Sequence, residues 1–195
     1  YSVRELPAAV LVFPKGTSHW NPALPVGCAS ARRKMQFQQL YPEAVIQPVR
    51  GNVLTRLEKL DSGEYGALIL AEAGLKRLGL SDRIAYRFSP EELVPAAGQG
   101  ILAIQTRAGE YADLLARLNS PDGALCAKTE RQLASLLGGD CSAPVGCHAQ
   151  LHGTDMTLYG FSGIGGVPRC GSVQGNRNDA DLLVQQLASK LTITE

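Results

Sequence analysis

Residues 49–80 read VRGNVLTRLEKLDSGEYGALILAEAGLKRLGL, and this stretch limits what the chain can fold into. An apolar run over 44–49 ends at Arg50, and Gly51-Asn52 follows. Asn52 suits a helix cap, because its side-chain oxygen can accept from the orphan amides of the next turn. Val53, Leu57 and Leu60 then recur at helical spacing, with Leu54 widening the stripe. Asp61-Ser62-Gly63 ends that helix, since glycine takes the left-handed cap without steric cost. Residues 67–71 predict a buried strand, and 72–78 predict a short helix ending at Gly79. Strand, helix, strand, helix makes an α/β layer, and ligands of open α/β sheets bind outside the carboxyl ends of the strands. Arg50 and Arg56 lie around one strand-to-helix turn, and Arg77 lies on the helix after the next strand. Three guanidiniums gathered there suit a ligand with several carboxylates. Arginines are also common on solvated helix faces, and spacing alone leaves both readings open.

The first quarter of the chain raises the same question. Residues 8–13 predict a strand, and 14–25 a loop that holds the single tryptophan, Trp20. An extended run over 25–28 turns through Cys28-Ala29-Ser30 into a helix over 31–41, with Ser30 as its cap. That helix starts Ala31-Arg32-Arg33-Lys34, three cations where the helix dipole favours acids. Either a carboxylate or phosphate sits among residues 30–33, or this is an exposed basic turn that costs only tenths of a kcal/mol.

Further on, 83–90 reads as a polar connection. Gly98-Gln99-Gly100 is no dinucleotide fingerprint; it reads as a bend into a strand over 101–105. A short amphipathic helix is expected over 110–118. Ser120-Pro121-Asp122 is a strong helix start, and that helix runs to about Leu137. Gly138-Gly139 stops it and puts Cys141 on a loop, where a thiol is either a candidate for covalent chemistry or idle. Strands over 145–151, 157–161 and 167–174, then a helix over 179–191, predict a small α+β unit with an antiparallel sheet. The expected division is therefore an α/β domain over 1–97, a connecting segment over 98–118 and an α+β domain over 119–195.

A net charge of +1 gives no general footprint for nucleic acid or a membrane surface. No apolar run reaches the ~18 residues of a membrane span. The N-terminus lacks the basic-then-apolar pattern of a signal peptide. Five cysteines include no CxxC pair, and only His148 stands near Cys141 and Cys147, so no metal site is expected. A cytoplasmic, reducing setting follows, with Cys28 and Cys126 as small buried hydrophobes.

Taken together, these stretches resemble the porphobilinogen deaminase (hydroxymethylbilane synthase) family over nearly the whole chain. Gly27-Cys28-Ala29-Ser30-Ala31-Arg32-Arg33 is similar to its GTSSLRR, and residues 50–57 to its RGNVxTRL. Residues 70–80 resemble LAxAGLKRLGL, 95–100 resemble PAxGQG, and 130–146 resemble the segment ending GGCxxPVG. The resemblance implies a transferase of porphyrin and heme biosynthesis. It joins four porphobilinogen units head to tail, losing ammonia each time, to give hydroxymethylbilane. It implies a dipyrromethane cofactor held covalently by a thioether to Cys141. Acetate and propionate groups would lie on Arg32, Arg33, Arg50, Arg56 and Arg77, with Ser30 beside them and Gln99 at an interdomain bend. The implied fold is a periplasmic-binding-protein-like α/β domain, then a small α+β domain with an antiparallel three-stranded sheet.

The departures carry expectations of their own. Cys28 and Ala29 stand where the family has Thr and Ser, and Asp140 stands directly before Cys141. Arg4-Glu5-Leu6-Pro7 superficially resembles the family's general-acid motif, but residues 1–12 fit better as the first strand of the second domain. The general-acid aspartate then lies before Tyr1, no catalytic residue falls in this stretch, and the stretch alone is expected to be inactive. Residues 101–105 would belong to a first-domain sheet, so they are expected unpaired, poorly ordered, or paired with a second copy of a family usually monomeric. Two rivals are a non-catalytic module for anionic ligands and a degenerate paralogue.

Overall fold

The computed structural model describes residues 1–140 and 142–192. The chain forms two compact units, one over Leu6–Val94, the other over Tyr1–Glu5 and the residues from Pro95 onward.

The first unit holds five strands, β1 Ala9–Val12, β2 Val26–Gly27, β3 Ile46–Gln47, β4 Ala67–Ala71 and β5 Ile84–Arg87, in the order β3-β2-β4-β1-β5. β2 runs parallel to β3 and β4, whereas β1 is antiparallel to β4 and β5. The run Ala-Leu-Ile-Leu-Ala of β4 is apolar throughout because both faces are covered. Ala67 and Ile69 join Phe37 of α1, Ala31–Leu40, on one face. Leu68 and Leu70 join Leu57 and Leu60 of α2, Val53–Asp61, and Leu75 of α3, Glu72–Arg77, on the other. Glycine at the end of β2 permits this contact: a Cβ on Gly27 would stand 2.4 Å from Leu68 Cδ2.

One expectation is corrected here. The polar connection over 83–90 contains β5, an edge strand set by its register with β1: Val10 opposite Arg87, Leu11 opposite Tyr86, Val12 opposite Ile84. Ala85, Tyr86 and Arg87 are exposed, so the strand lacks the alternation that marks a half-buried one.

The second unit holds α4 Ala112–Leu118, α5 Pro121–Leu136, strands β6 Val145–His152, β7 Asp155–Ser162 and β8 Arg169–Asn176, and α6 Ala180–Leu191. The three strands form an antiparallel meander, β6-β7-β8. α5 and α6 supply Leu133, Leu183, Leu187 and Leu191 to a core with Cys147, Met156 and Leu158. Gly160 lets α6 approach, since a Cβ there would stand 2.5 Å from Leu191 Cδ1. Cys28 and Cys126 are buried as expected, and Cys170 is exposed.

Residues 101–105 form no strand. Instead the Ser2 amide donates to the Leu102 carbonyl at 3.0 Å, and the Glu5 amide to the Gly100 carbonyl at 2.9 Å. Gly98 and Gly100 both take positive φ and bend the backbone. Leu102 and Ile104 are exposed and have no face to bury, so no ladder develops. The expected first strand over 1–12 is likewise confined to Ala9–Val12, while Tyr1–Glu5 packs in the second unit.

Glu130 ties that unit together. It is fully buried, and its two oxygens accept from both Arg4 terminal nitrogens at 2.6 and 2.8 Å, from the Gly98 amide at 2.6 Å and from the Ala149 amide at 2.7 Å. Burial pushes its pKa up, but the neighbouring His148 and Arg4 side chains more than offset this and hold the carboxyl below its usual range.

Candidate anion site at the carboxyl edge of the sheet

Because β2, β3 and β4 are parallel, the chain leaves all three on one edge of the first unit's sheet, at residues 28–30, 48–52 and Glu72. After β2, Ser30 caps α1, its hydroxyl accepting from the Arg33 amide at 3.4 Å. Arg32 is buried and donates through Nη1 to the Val94 carbonyl, which also accepts from Gln36 Nε2 at 3.2 Å. Arg32 therefore has an acceptor within the chain. Burial lowers the pKa of Arg33, Cys28 nearby offsets part of that, and the charge of Arg56 lowers it further. A guanidinium keeps its proton in a protein, and cations placed along one edge suit an anionic ligand.

After β3, Gly51 takes φ +114°, and a Cβ there would stand 2.8 Å from Thr55 Cγ2. The turn places Asn52 to cap α2, its side-chain oxygen accepting from the Thr55 amide at 2.9 Å and the Thr55 hydroxyl at 3.2 Å. Arg56 Nε donates to the Gly51 carbonyl at 2.8 Å, which fixes its guanidinium over the turn that begins at exposed Arg50. Arg77 is exposed in the last turn of α3. One turn earlier, a Cβ on Gly74 would lie 3.7 Å from Val53 Cγ2, so α3 packs beside the start of α2. A cleft of about 260 Å³ opens at the same edge, lined by Cys28, Ser30, Lys34, Gln47 and Pro48 among others.

The sequence expectations thus split. Ser30, Arg32, Arg33, Arg50 and Arg56 gather around two adjacent strand ends, and Arg77 lies on the helix after the third. Gln99 belongs to the second unit. It sits between Gly98 and Gly100, and its carbonyl accepts from Arg4 Nε at 3.1 Å. Cys141 lies outside the described residues. Beside it, Asp140 Oδ1 accepts from the Ser142 amide, the Ser142 hydroxyl and the Ala143 amide, each at 2.7 Å. These bonds hold the Asp140 carboxyl below its usual range. A pair at the same edge escaped the sequence reading: Arg87 Nε donates to buried Glu72 Oε1 at 2.8 Å. No spacing rule connects two residues brought together only by an unrecognised strand.

A family model described as porphobilinogen deaminase, dipyrromethane cofactor binding domain, matches residues 1–114. A second, described as porphobilinogen deaminase, C-terminal domain, matches residues 124–192. The porphobilinogen deaminase of Acetivibrio thermocellus is 44% identical over 195 residues, covering 97% of this chain and 65% of that protein. That of Chromobacterium violaceum is 46% identical over 170 residues, covering 85% of this chain and 55% of that protein. That of Coxiella burnetii is 38% identical over 192 residues, covering 96% and 62%. The chain spans less than two thirds of the length of these curated relatives.

Proposed function

Because the chain belongs to the porphobilinogen deaminase family, we propose that it serves tetrapyrrole biosynthesis as the substrate-cradling part of a hydroxymethylbilane synthase. The observation that supports this reading is the placement of Ser30, Arg33, Arg50 and Arg56 just after the parallel strands β2 and β3, on the carboxyl edge of the sheet. Each porphobilinogen brings two carboxylates, and bidentate guanidinium contacts both hold and orient such groups. Arg33, Arg50, Arg56 and Arg77 take the acetate and propionate groups, and the Ser30 hydroxyl lies beside them. Arg32, spent partly on Val94, fixes the start of α1 and adds its charge from a buried position. Cys141 carries the dipyrromethane through its sulfur, and Gln99 lies at the bend that leads toward that domain. When bound, the dipyrromethane supplies the pyrrole terminus that accepts new units. The arginine-rich edge matches such a group, whose acidic side chains need cations and whose rings need none.

Ammonia loss needs a proton donor near the aminomethyl group. Glu72, the carboxylate that follows β4 at this edge, is buried and committed to Arg87. These 195 residues by themselves therefore bind and position substrate without turning it over. The protein works in the cytoplasm, a setting that suits its buried cysteines, none of them in a disulfide among the described residues. No helix among the described residues is long and apolar enough to cross a membrane. Leu102 and Ile104 are exposed, and through this apolar surface at 101–105 the stretch self-associates. The test incubates the chain with porphobilinogen and follows both ammonia and intact mass. The reading expects saturable porphobilinogen binding with no sustained ammonia release; a dipyrromethane joined to Cys141 would appear as a mass increment accompanied by two ammonia per chain and abolished by Cys141→Ala. Steady ammonia release would overturn the inactivity, and a chain that neither binds porphobilinogen nor gains mass would favour a degenerate paralogue.

A further inference from the structure

The edge strand β5 carries Arg87, which lies outside every motif named above and pairs with Glu72 at the start of α3. We propose that Arg87, held in place by Glu72, is an additional carboxylate-binding arginine that meets only a ligand several pyrroles long. This rests on the polycarboxylate reading above.

Register puts Arg87 at the right edge. Val10 of β1 lies opposite both Leu70 of β4 and Arg87 of β5, so Arg87 stands level with the carboxyl end of β4. Glu72 follows β4 directly, and its amide donates to the Ala8 carbonyl at 3.0 Å, which anchors its backbone across the start of β1. Glu72 is only 3% exposed, and its second oxygen, Oε2, is buried without a hydrogen-bond partner. A buried carboxylate is costly unless paired, so Glu72 keeps Arg87 where it is. Arg87 is held through Nε alone, and its side chain remains 54% exposed. No acceptor among the described residues meets its terminal nitrogens, the two that can fork a carboxylate. Chemistry and access thus point outward from a fixed base.

The strand order sets the reach. Three strand spacings separate β5 from β2, about 14 Å. A single porphobilinogen seated on Arg33 and Arg56 falls short of Arg87. A chain of several pyrroles, with acidic groups along its length, covers the distance. Arg87 thereby favours longer over shorter oligomers on one continuous edge. The competing account is an ion pair that merely ties an edge strand to α3.

Calorimetric titration of the 195-residue chain separates the two. Porphobilinogen, with two carboxylates, reports the arginines near β2 and β3, and uroporphyrin I, with eight, reports the whole edge. Arg87→Ala should weaken uroporphyrin I about fivefold and leave porphobilinogen within about twofold. Glu72→Gln, which keeps an acceptor for Arg87 Nε, should retain most of the uroporphyrin affinity, and Glu72→Ala should lose it as Arg87→Ala does. Unchanged uroporphyrin affinity in Arg87→Ala overturns the proposal and leaves the wider reading standing. So does a parallel loss of both probes with a fall in melting temperature, which is the signature of a structural tie. If Arg56→Ala alters neither probe, the polycarboxylate reading fails, and this proposal with it.

Discussion

Replacing Glu130 by glutamine keeps shape and removes one charge, and the consequences follow from four short contacts. In the native unit each carboxylate oxygen accepts one backbone amide, Gly98 on Oε2 and Ala149 on Oε1, and one Arg4 nitrogen. Glutamine offers one oxygen and one NH₂ group. Whichever way it turns, an NH₂ faces one of those buried amides, donor against donor. One orphaned buried amide costs about 1–3 kcal/mol, and loss of the bidentate charge-assisted pair brings the total to about 3–5 kcal/mol. The sign with pH is fixed as well. The folded carboxyl titrates below its unfolded value, so its contribution is fully present above about pH 4.3 and is lost as pH falls through the folded pKa. The gap between native and Glu130→Gln proteins should therefore close in acid. Hydrogen exchange of the β6 and β7 amides reads this unit directly, whereas Trp20 fluorescence reports the other one. A destabilisation under about 1 kcal/mol at neutral pH, or a gap that widens in acid, would refute the reasoning.

Other outcomes follow from single contacts. Asn52→Ala removes the α2 cap and should cost about 1 kcal/mol in urea unfolding followed by Trp20 fluorescence, with Asn52→Asp restoring most of it. Gly100→Ala must seat a Cβ 2.3 Å from the Glu5 carbonyl at φ +86°, so about 2 kcal/mol should be lost, with faster exchange of the Glu5 amide. Arg56→Ala should weaken porphobilinogen about tenfold in calorimetry, and added salt should shrink that difference.

Local signals carried most of the fold into the sequence. The caps Ser30, Asn52 and Ser120 all accept the expected amides, because capping needs only residues three apart. The β4 run stood out because burial on both faces leaves no polar residue in it. What the sequence hid depends on distant partners. β5 is a strand only because β1 offers it a free edge, and its own residues face solvent. Residues 101–105 read as a strand from their apolar content, yet lack a sheet to join and pair loosely with 2–5. In the site, the arginines after β2 and β3 were legible because motif and helix start coincide. The acceptor for Arg32 was not, because Val94 lies 62 residues away in sequence. The Glu72–Arg87 pair was hidden for the same reason.

The central claim is that porphobilinogen carboxylates settle where β2, β3 and β4 end. Amide chemical-shift mapping of the ¹⁵N-labelled chain during titration with porphobilinogen tests it directly. The account predicts the largest shifts at Ser30–Arg33 and at Arg50–Arg56, saturating together, with Phe13–Ser18 on the opposite edge unmoved. Shifts concentrated at that opposite edge, or none at all at saturating ligand, would contradict it.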